Sequence, residues 1–164
     1  ADDHGRLAGV DDAPEQAGQA LVEQALTALG VTDCKAFKDL MLTWDDVHAL
    51  AGLGFSIGAH TVNHPILSRV PARRAWTEIS GSRRMIESAL GRAPQAFAYP
   101  NGRPEDYTDA VVQMVRDAGF ACALTTRFGT NSAATSPWEL RRGGPWEADL
   151  PTFALKLALY RATA

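Results

Sequence analysis

Phe55-Ser-Ile-Gly-Ala-His-Thr-Val-Asn-His-Pro65 is the stretch on which the reading of this chain turns. Phe55 to Ala59 is an apolar run of the kind that forms a short buried strand. His60 and His64 follow it directly, at i and i+4. Two imidazoles at that spacing converge on one point if the segment curls into a helical turn, and Asn63 and Pro65 favour a turn at a strand end. Imidazole is the commonest metal-ligating side chain. The segment therefore reads as half of a metal site, at the strand end where α/β proteins place their chemistry. Spacing alone is a weak signal, because no glutamate stands between the histidines as in HExxH and the chain has 4 His in all.

Working outward, helices and strands alternate. Pro14 to Gly30 carries a helical stripe of Leu21, Val22, Ala25, Leu26 and Leu29. Thr43 is placed as an N-cap, with Asp45 and Asp46 as helix-start acids rather than catalytic carboxylates, in a helix running to about Leu53. After His64 comes the longest helix, Pro71 to Leu90, with Ala75, Ile79, Ile86 and Leu90 on one side and Arg, Glu and Ser opposite. Gln95 to Tyr99 is a strand, 100–104 a turn-rich loop, Tyr107 to Ala118 a helix and Phe120 to Thr125 a third strand. A Gly/Asn/Ser/Pro-rich loop spans 129–137, then a short fourth strand at Glu139 to Arg142 and a final helix at Pro151 to Arg161.

This alternation argues for βαβ units and a parallel sheet. A closed (β/α)₈ barrel needs about 250 residues, and this chain has 164. The expected fold is an incomplete or distorted (β/α) barrel, α/β with parallel strands and flanking helices. A helical N-terminal segment, 1–39, precedes the α/β domain, 40–164.

Composition narrows the function. A net charge of −3 gives no basic footprint, so nucleic acid is not expected as a partner. Arg73-Arg74 and Arg83-Arg84 fall on a helix as a solvated face. No apolar run reaches the ~18 residues of a membrane span. Ala1-Asp-Asp-His-Gly5 lacks the apolar region of a secretory signal, so the chain is read as either cytoplasmic or processed extracytoplasmic. The 2 Cys make no disulfide framework. Cys122, within Phe120-Ala-Cys-Ala-Leu124, is expected in the core, and Cys34 in a polar connection.

Two motifs in this order carry a resemblance. Gly58-Ala-His60-Thr61-Val-Asn-His64-Pro65 resembles the H-[ST]-x-x-H motif of the polysaccharide deacetylases (carbohydrate esterase family four). Phe97-Ala-Tyr99-Pro100-Asn-Gly102 resembles their F-A-Y-P-x-G motif, one helix further on. The flanks Met41-Leu-Thr-Trp-Asp-Asp46 and Asp117-Ala-Gly-Phe-Ala-Cys-Ala-Leu-Thr-Thr126 fit as well, so the likeness covers roughly 40 to 145.

The resemblance implies a distorted (β/α) barrel holding a divalent metal, usually zinc, by Asp-His-His. The metal polarises an acetyl carbonyl and activates water, an aspartate acts as base and a histidine as acid. The substrates implied are acetylated oligo- or polysaccharides. By the same resemblance His60 and His64 are the imidazole ligands and Thr61 orients their loop. The Tyr99 backbone N–H contacts the oxyanion, against the plainer reading of a half-buried strand residue. Pro100, Asn101 and Gly102 shape the groove. Arg142 matches an arginine near the base, with Arg141 the competing alignment. Trp138 and Trp146 either line a sugar groove or pack against the core.

Two family motifs are missing. T-F-D-D-G, which supplies the third ligand and the base, has no counterpart before Phe55. Asp2, Asp3, Asp11 and Asp12 are paired acids without an apolar strand ahead of them, as expected of an N-terminal arm. No L-x-H occurs in Leu155-Lys-Leu-Ala-Leu159; His4 and His48 are the other imidazoles, His48 on an exposed helix. The chain is thus either part of a longer deacetylase or a short variant using other carboxylates, for instance across a homodimer formed at an open sheet edge. A non-catalytic carbohydrate-binding module and a metal-independent esterase remain as alternative functions.

Overall fold

The computed structural model describes residues 20–21, 24–30, 41–143 and 149–162. The chain divides into two compact units, Ala1–Ala49 and Leu50–Ala164. In the first, residues 24–28 are helical and end at Gly30, whose φ is 68°. Helix α1 (Trp44–Gly52) opens with a reciprocal box. Asp46 N–H donates to Thr43 Oγ1 at 3.2 Å, while Thr43 N–H and Oγ1–H donate to Asp46 Oδ2 at 2.8 and 2.6 Å. These bonds hold the Asp46 carboxyl below the ordinary aspartate value. Asp46 is therefore a helix-start residue, as its position after Thr43 implies.

The second unit is organised on a parallel sheet. β1 (Ala96–Ala98) pairs with β2 (Cys122–Leu124) in the register Ala96 with Cys122, Phe97 with Ala123 and Ala98 with Leu124. On the other side of β1 a parallel bridge joins Ala59 to Phe97. Ala59 N–H donates to Ala96 O at 2.9 Å, and Ala98 N–H to Ala59 O at 2.8 Å. Beyond β2 a second bridge joins Leu140 to Leu124. The lateral order Ala59, β1, β2, Leu140 repeats the chain order. Winding without reversal is the habit of (β/α) barrels, whereas doubly wound sheets reverse at a switch point. The architecture is a partial (β/α) barrel.

Two expected strands shrink to one paired residue each. Phe55 to Ala59 is not a buried strand: Phe55 is 58% exposed and Ala59 alone is bridged and buried. An apolar run becomes a buried strand only when covered on its faces, and Phe55 has no such cover. Glu139 to Arg142 likewise pairs at Leu140 alone.

Helix α2 (Ala72–Leu90) leads from the His segment to β1, and α3 (Asp109–Asp117) leads from β1 to β2. They pack on each other, and their Ala75, Ile79, Val111 and Val115 join Phe97, Phe120, Ala123 and Tyr99 in one core. Fully burying side chains such as Ile79, Phe97 and Val115 contributes about 1.5–3 kcal/mol each. α3 starts at Thr108, whose hydroxyl accepts the Val111 N–H at 3.4 Å. The polar side of α2 is not wholly solvated, since Glu78, Ser80 and Ser82 are buried. Cys122 is half-buried rather than in the core proper, and Cys34 lies outside the described residues. α4 (Leu150–Ala162) follows Asp149, which accepts the Thr152 N–H at 2.8 Å. No helix among the described residues is long and apolar enough to cross a membrane.

Two glycines separate backbone strain from crowding. Gly91 caps α2 at φ 68° with open space where a Cβ would stand; at Gly102, φ 69°, that Cβ would lie 2.9 Å from Thr126 N and 3.1 Å from Tyr99 O. Asparagine tolerates the left-handed conformation. In urea unfolding, Gly91→Asn is expected to cost under about 1 kcal/mol and Gly102→Asn about 1–3 kcal/mol more, from overpacking. Equal losses would refute the crowding at Gly102.

Candidate functional site

Because the strands are parallel, their carboxyl ends share one edge. His60 to Pro65 leaves it after Ala59, Tyr99 to Gly102 after β1, Thr125 to Arg127 after β2, and Arg141-Arg142 after Leu140.

His60 is anchored at once. Its Nδ1 lies 2.7 Å from Ala98 O. A carbonyl can only accept, so Nδ1 carries a proton, and in the neutral ring Nε2 keeps its lone pair. The chain then turns sharply, with Thr61 at φ 65° and His64 at φ 57°. This left-handed geometry is rare for a β-branched residue and replaces the helical turn expected from the spacing. Thr61 Oγ1 donates to His60 O and accepts the His64 N–H at 3.0 Å. The two rings meet edge to face, centroids 4.7 Å apart. Both histidines are exposed.

The underside of this turn rests on α2. Glu78 Oε2 accepts N–H bonds from Val62 and Asn63 at 2.9 and 2.8 Å, and Oε1 accepts one from Asn63 Nδ2 at 2.9 Å. Glu78 is only 3% exposed. By residue type alone it falls with the Arg, Glu and Ser opposite the apolar side of the helix. The signal was present: Ala75, Glu78, Ile79 and Ser82 fall at i, i+3, i+4 and i+7, a single inward stripe.

Tyr99 does not fit the oxyanion role expected of it. Its backbone N–H donates to Leu124 O at 3.1 Å, inside the sheet. Its ring is fully buried, stacked on Tyr107 with centroids 4.3 Å apart, and its hydroxyl donates to Trp138 O at 2.9 Å. Burial above all, with Tyr107 and Glu139 adding, pushes the phenol well above the ordinary tyrosine range. Tyr99 is thus a neutral core pillar, more buried than the half-buried alternative. Pro100 has no N–H, and Gly102 N–H is bonded to Pro100 O at 2.7 Å. Asn101, at φ 58°, is exposed, and its N–H has no partner among the described residues.

Trp138 packs rather than lining a groove. Its Nε1–H points to Phe120 O at 3.4 Å, and Arg116 of α3 lies 4.8 Å over the ring. Trp146 lies outside the described residues, as do His4, Asp2, Asp3, Asp11 and Asp12. Arg142 stands at the carboxyl edge, its Nε–H donating to Thr125 O at 2.6 Å. Arg141 is held through its backbone by Asn131, at 2.9 Å in both directions. The loop between them and Arg127 encloses a polar cleft of about 370 Å³ lined by Arg127, Asn131, Ser136, Glu139 and Arg141 among others, which the sequence showed only as a loop.

The chain is similar to known proteins. The family described as Polysaccharide deacetylase matches residues 10–123. A curated relative, the putative polysaccharide deacetylase YxkH of Bacillus subtilis (strain 168), is 24% identical over 101 residues, 62% of this chain and 35% of that protein. Among solved structures, the Streptococcus pyogenes deacetylase PplD in complex with acetate is 28% identical with a TM-score of 0.65, over 80% of this chain and 54% of that one. IcaB from Ammonifex degensii, 20% identical with a TM-score of 0.59 over 74% of this chain and 54% of its own, shows the fold. The chain therefore spans 35% of its curated relative and 54% of PplD.

The carbonyl of Ala98 dictates the His60 tautomer. In long-range ¹H–¹⁵N spectra of the neutral ring, Nδ1 is expected to be protonated and Nε2 not. A majority Nε2–H form would contradict the anchor.

Proposed function

This chain belongs to the polysaccharide deacetylase family, and we propose that it carries the histidine half of a metal-dependent site that hydrolyses N-acetyl or O-acetyl groups on carbohydrate. The observation that carries this reading is the His60–His64 turn: two exposed imidazoles at the carboxyl edge, centroids 4.7 Å apart, one with Nδ1 tied to a backbone carbonyl. Metal-bound histidines almost always donate their other ring nitrogen to such an acceptor. A nitrogen donor pair suits zinc better than magnesium or calcium, which prefer oxygen.

Catalytic zinc takes about three protein ligands. Among the described residues no third His, Cys, Asp or Glu joins the pair. In this proposal a carboxylate from beyond the described residues, from a longer form of the protein or from a second copy of the chain completes the set. A divalent ion held there would polarise an acyl carbonyl and make water nucleophilic near neutral pH.

The remaining roles fall to the chain itself. Thr61 holds the two histidines in register through its hydroxyl. Asn101 N–H, which has no partner among the described residues, donates to the acyl oxygen in place of Tyr99. Pro100, Asn101 and Gly102 wall the site, and Arg142, its Nε fixed on Thr125 O, takes the place of the arginine that would stand near the base. The polar cleft beside Arg127 and Arg141 takes part of a hydroxyl-rich acetylated oligo- or polysaccharide. The 28% identical PplD was solved in complex with acetate, the product this reaction releases. A second reading, sugar binding without turnover, has in its favour that no third ligand joins the histidines among the described residues.

The test is metal content per chain with acetate release from chitooligosaccharide and acetylated xylan. His60→Ala is expected to lose the metal and to lower acetate release about a hundredfold or more, in line with the several kcal/mol a Lewis acid supplies. Turnover that survives both the variant and a chelator would overturn the metal reading in favour of a metal-independent esterase. Sugar binding without acetate release would select the second reading.

A further inference from the structure

We propose that Glu78 is the positioning residue of this site: through the backbone between the two histidines, its buried carboxylate holds them in their converging arrangement. The inference rests on the metal-site reading above and deepens it.

A carboxylate taken out of water needs compensation. Among the described residues no cation pairs with Glu78; its partners are the N–H groups of Val62 and Asn63 and the Asn63 side-chain amide. Successive backbone N–H groups aimed at one oxygen form an anion nest, and hydrogen bonds to a charged acceptor are about twice as strong as neutral ones. Each element of the nest lies between the ligands. Val62 and Asn63 are the residues that Thr61 and His64 flank, and those two carry the left-handed backbone angles of 65° and 57°. Unaided, a threonine and a histidine would relax out of such angles, and the rings would part. The carboxylate therefore sets ring geometry without touching either ring.

Helix packing gives no reason for a carboxylate here. Glu78 lies between Ala75 and Ile79 on the buried stripe, where an apolar side chain of similar volume would serve α2 as well or better. What an apolar side chain could not do is accept three N–H bonds from the turn.

The test compares Glu78→Gln and Glu78→Ala with Ile79→Val, a control that loosens the same helix from the core side. Readouts are cooperative unfolding and Zn²⁺ affinity by competition with a metallochromic chelator. Glutamine keeps an acceptor oxygen and loses the charge, so the expected order is wild type, then Glu78→Gln weaker by about tenfold, then Glu78→Ala weaker by about a hundredfold, the range typical of outer-shell partners. Ile79→Val should bind zinc as wild type even where its stability is as low as that of the Glu78 variants. Wild-type zinc affinity in folded Glu78→Gln overturns the proposal, as does an equal loss in Ile79→Val. If Glu78→Ala does not fold, Glu78→Gln decides. If the wild-type chain by itself binds no zinc, amide exchange at Val62 and Asn63 judges Glu78 independently of the metal. At least about tenfold faster exchange in folded Glu78→Gln sustains the positioning role; unchanged protection removes it.

Discussion

The hydrogen bonding of β1 on both of its edges is the constraint from which the second unit follows. Ala59 bonds one side of Ala96–Ala98 and Cys122–Leu124 the other, so Phe97 sits at the centre of the sheet with no exposed surface. α2 and α3 then close over it through Ile79 and Val115. Parallel pairing also brings the carboxyl ends of four segments to one edge, which gathers His60, Asn101, Thr126 and Arg142 from distant parts of the chain. Ala98 serves both purposes: its N–H pairs with Ala59 O and its carbonyl orients the His60 ring.

Around that edge, local conformation is held against its own preference. Among the described residues three that are not glycine, Thr61, His64 and Asn101, have left-handed backbone. Each costs of the order of 1–3 kcal/mol if unsupported, less for asparagine. Thr61 is supported by its hydroxyl bridge and the neighbouring nest on Glu78, and Asn101 by the Thr126 hydroxyl on its carbonyl at 2.7 Å. Such strain clusters where a protein must present groups to a ligand.

Much of this was legible in the residues. The His60–His64 spacing, the amphipathic stripe of 72–90 and the Thr43–Asp46 pairing each rest on local periodicity or capping, which a sequence displays directly. The failures have a common cause. Phe55 to Ala59 looks like a buried strand, but burial of a strand is decided by what covers it, and Phe55 is left bare. Tyr99 N–H looked available because its partner, Leu124 O, lies far along the chain. Charge sets Glu78 with the Arg, Glu and Ser opposite the apolar stripe, whereas its position at i+3 from Ala75 places it inward. For Trp138 the ring type alone left groove and core open, and Arg116 of α3, lying over the ring, decides for packing. Non-local partners decided each of these.

Ala59 has one further consequence. Among the described residues two backbone bonds, both to β1, tie it to the sheet, while β2 is bonded on either flank. Segments with few bonds and bare apolar neighbours open well before the whole domain unfolds. The histidine turn is therefore carried on a margin of the described sheet, joined to it through a single bridged residue as Leu140 is at the other margin. A ligand gripping His60 and His64 would restrain that margin further, so part of its binding free energy would be coupled to local stability there. Affinity at this site would then track the zipping of the Ala59 edge, and anything that lengthens or covers that edge would tighten binding from a distance.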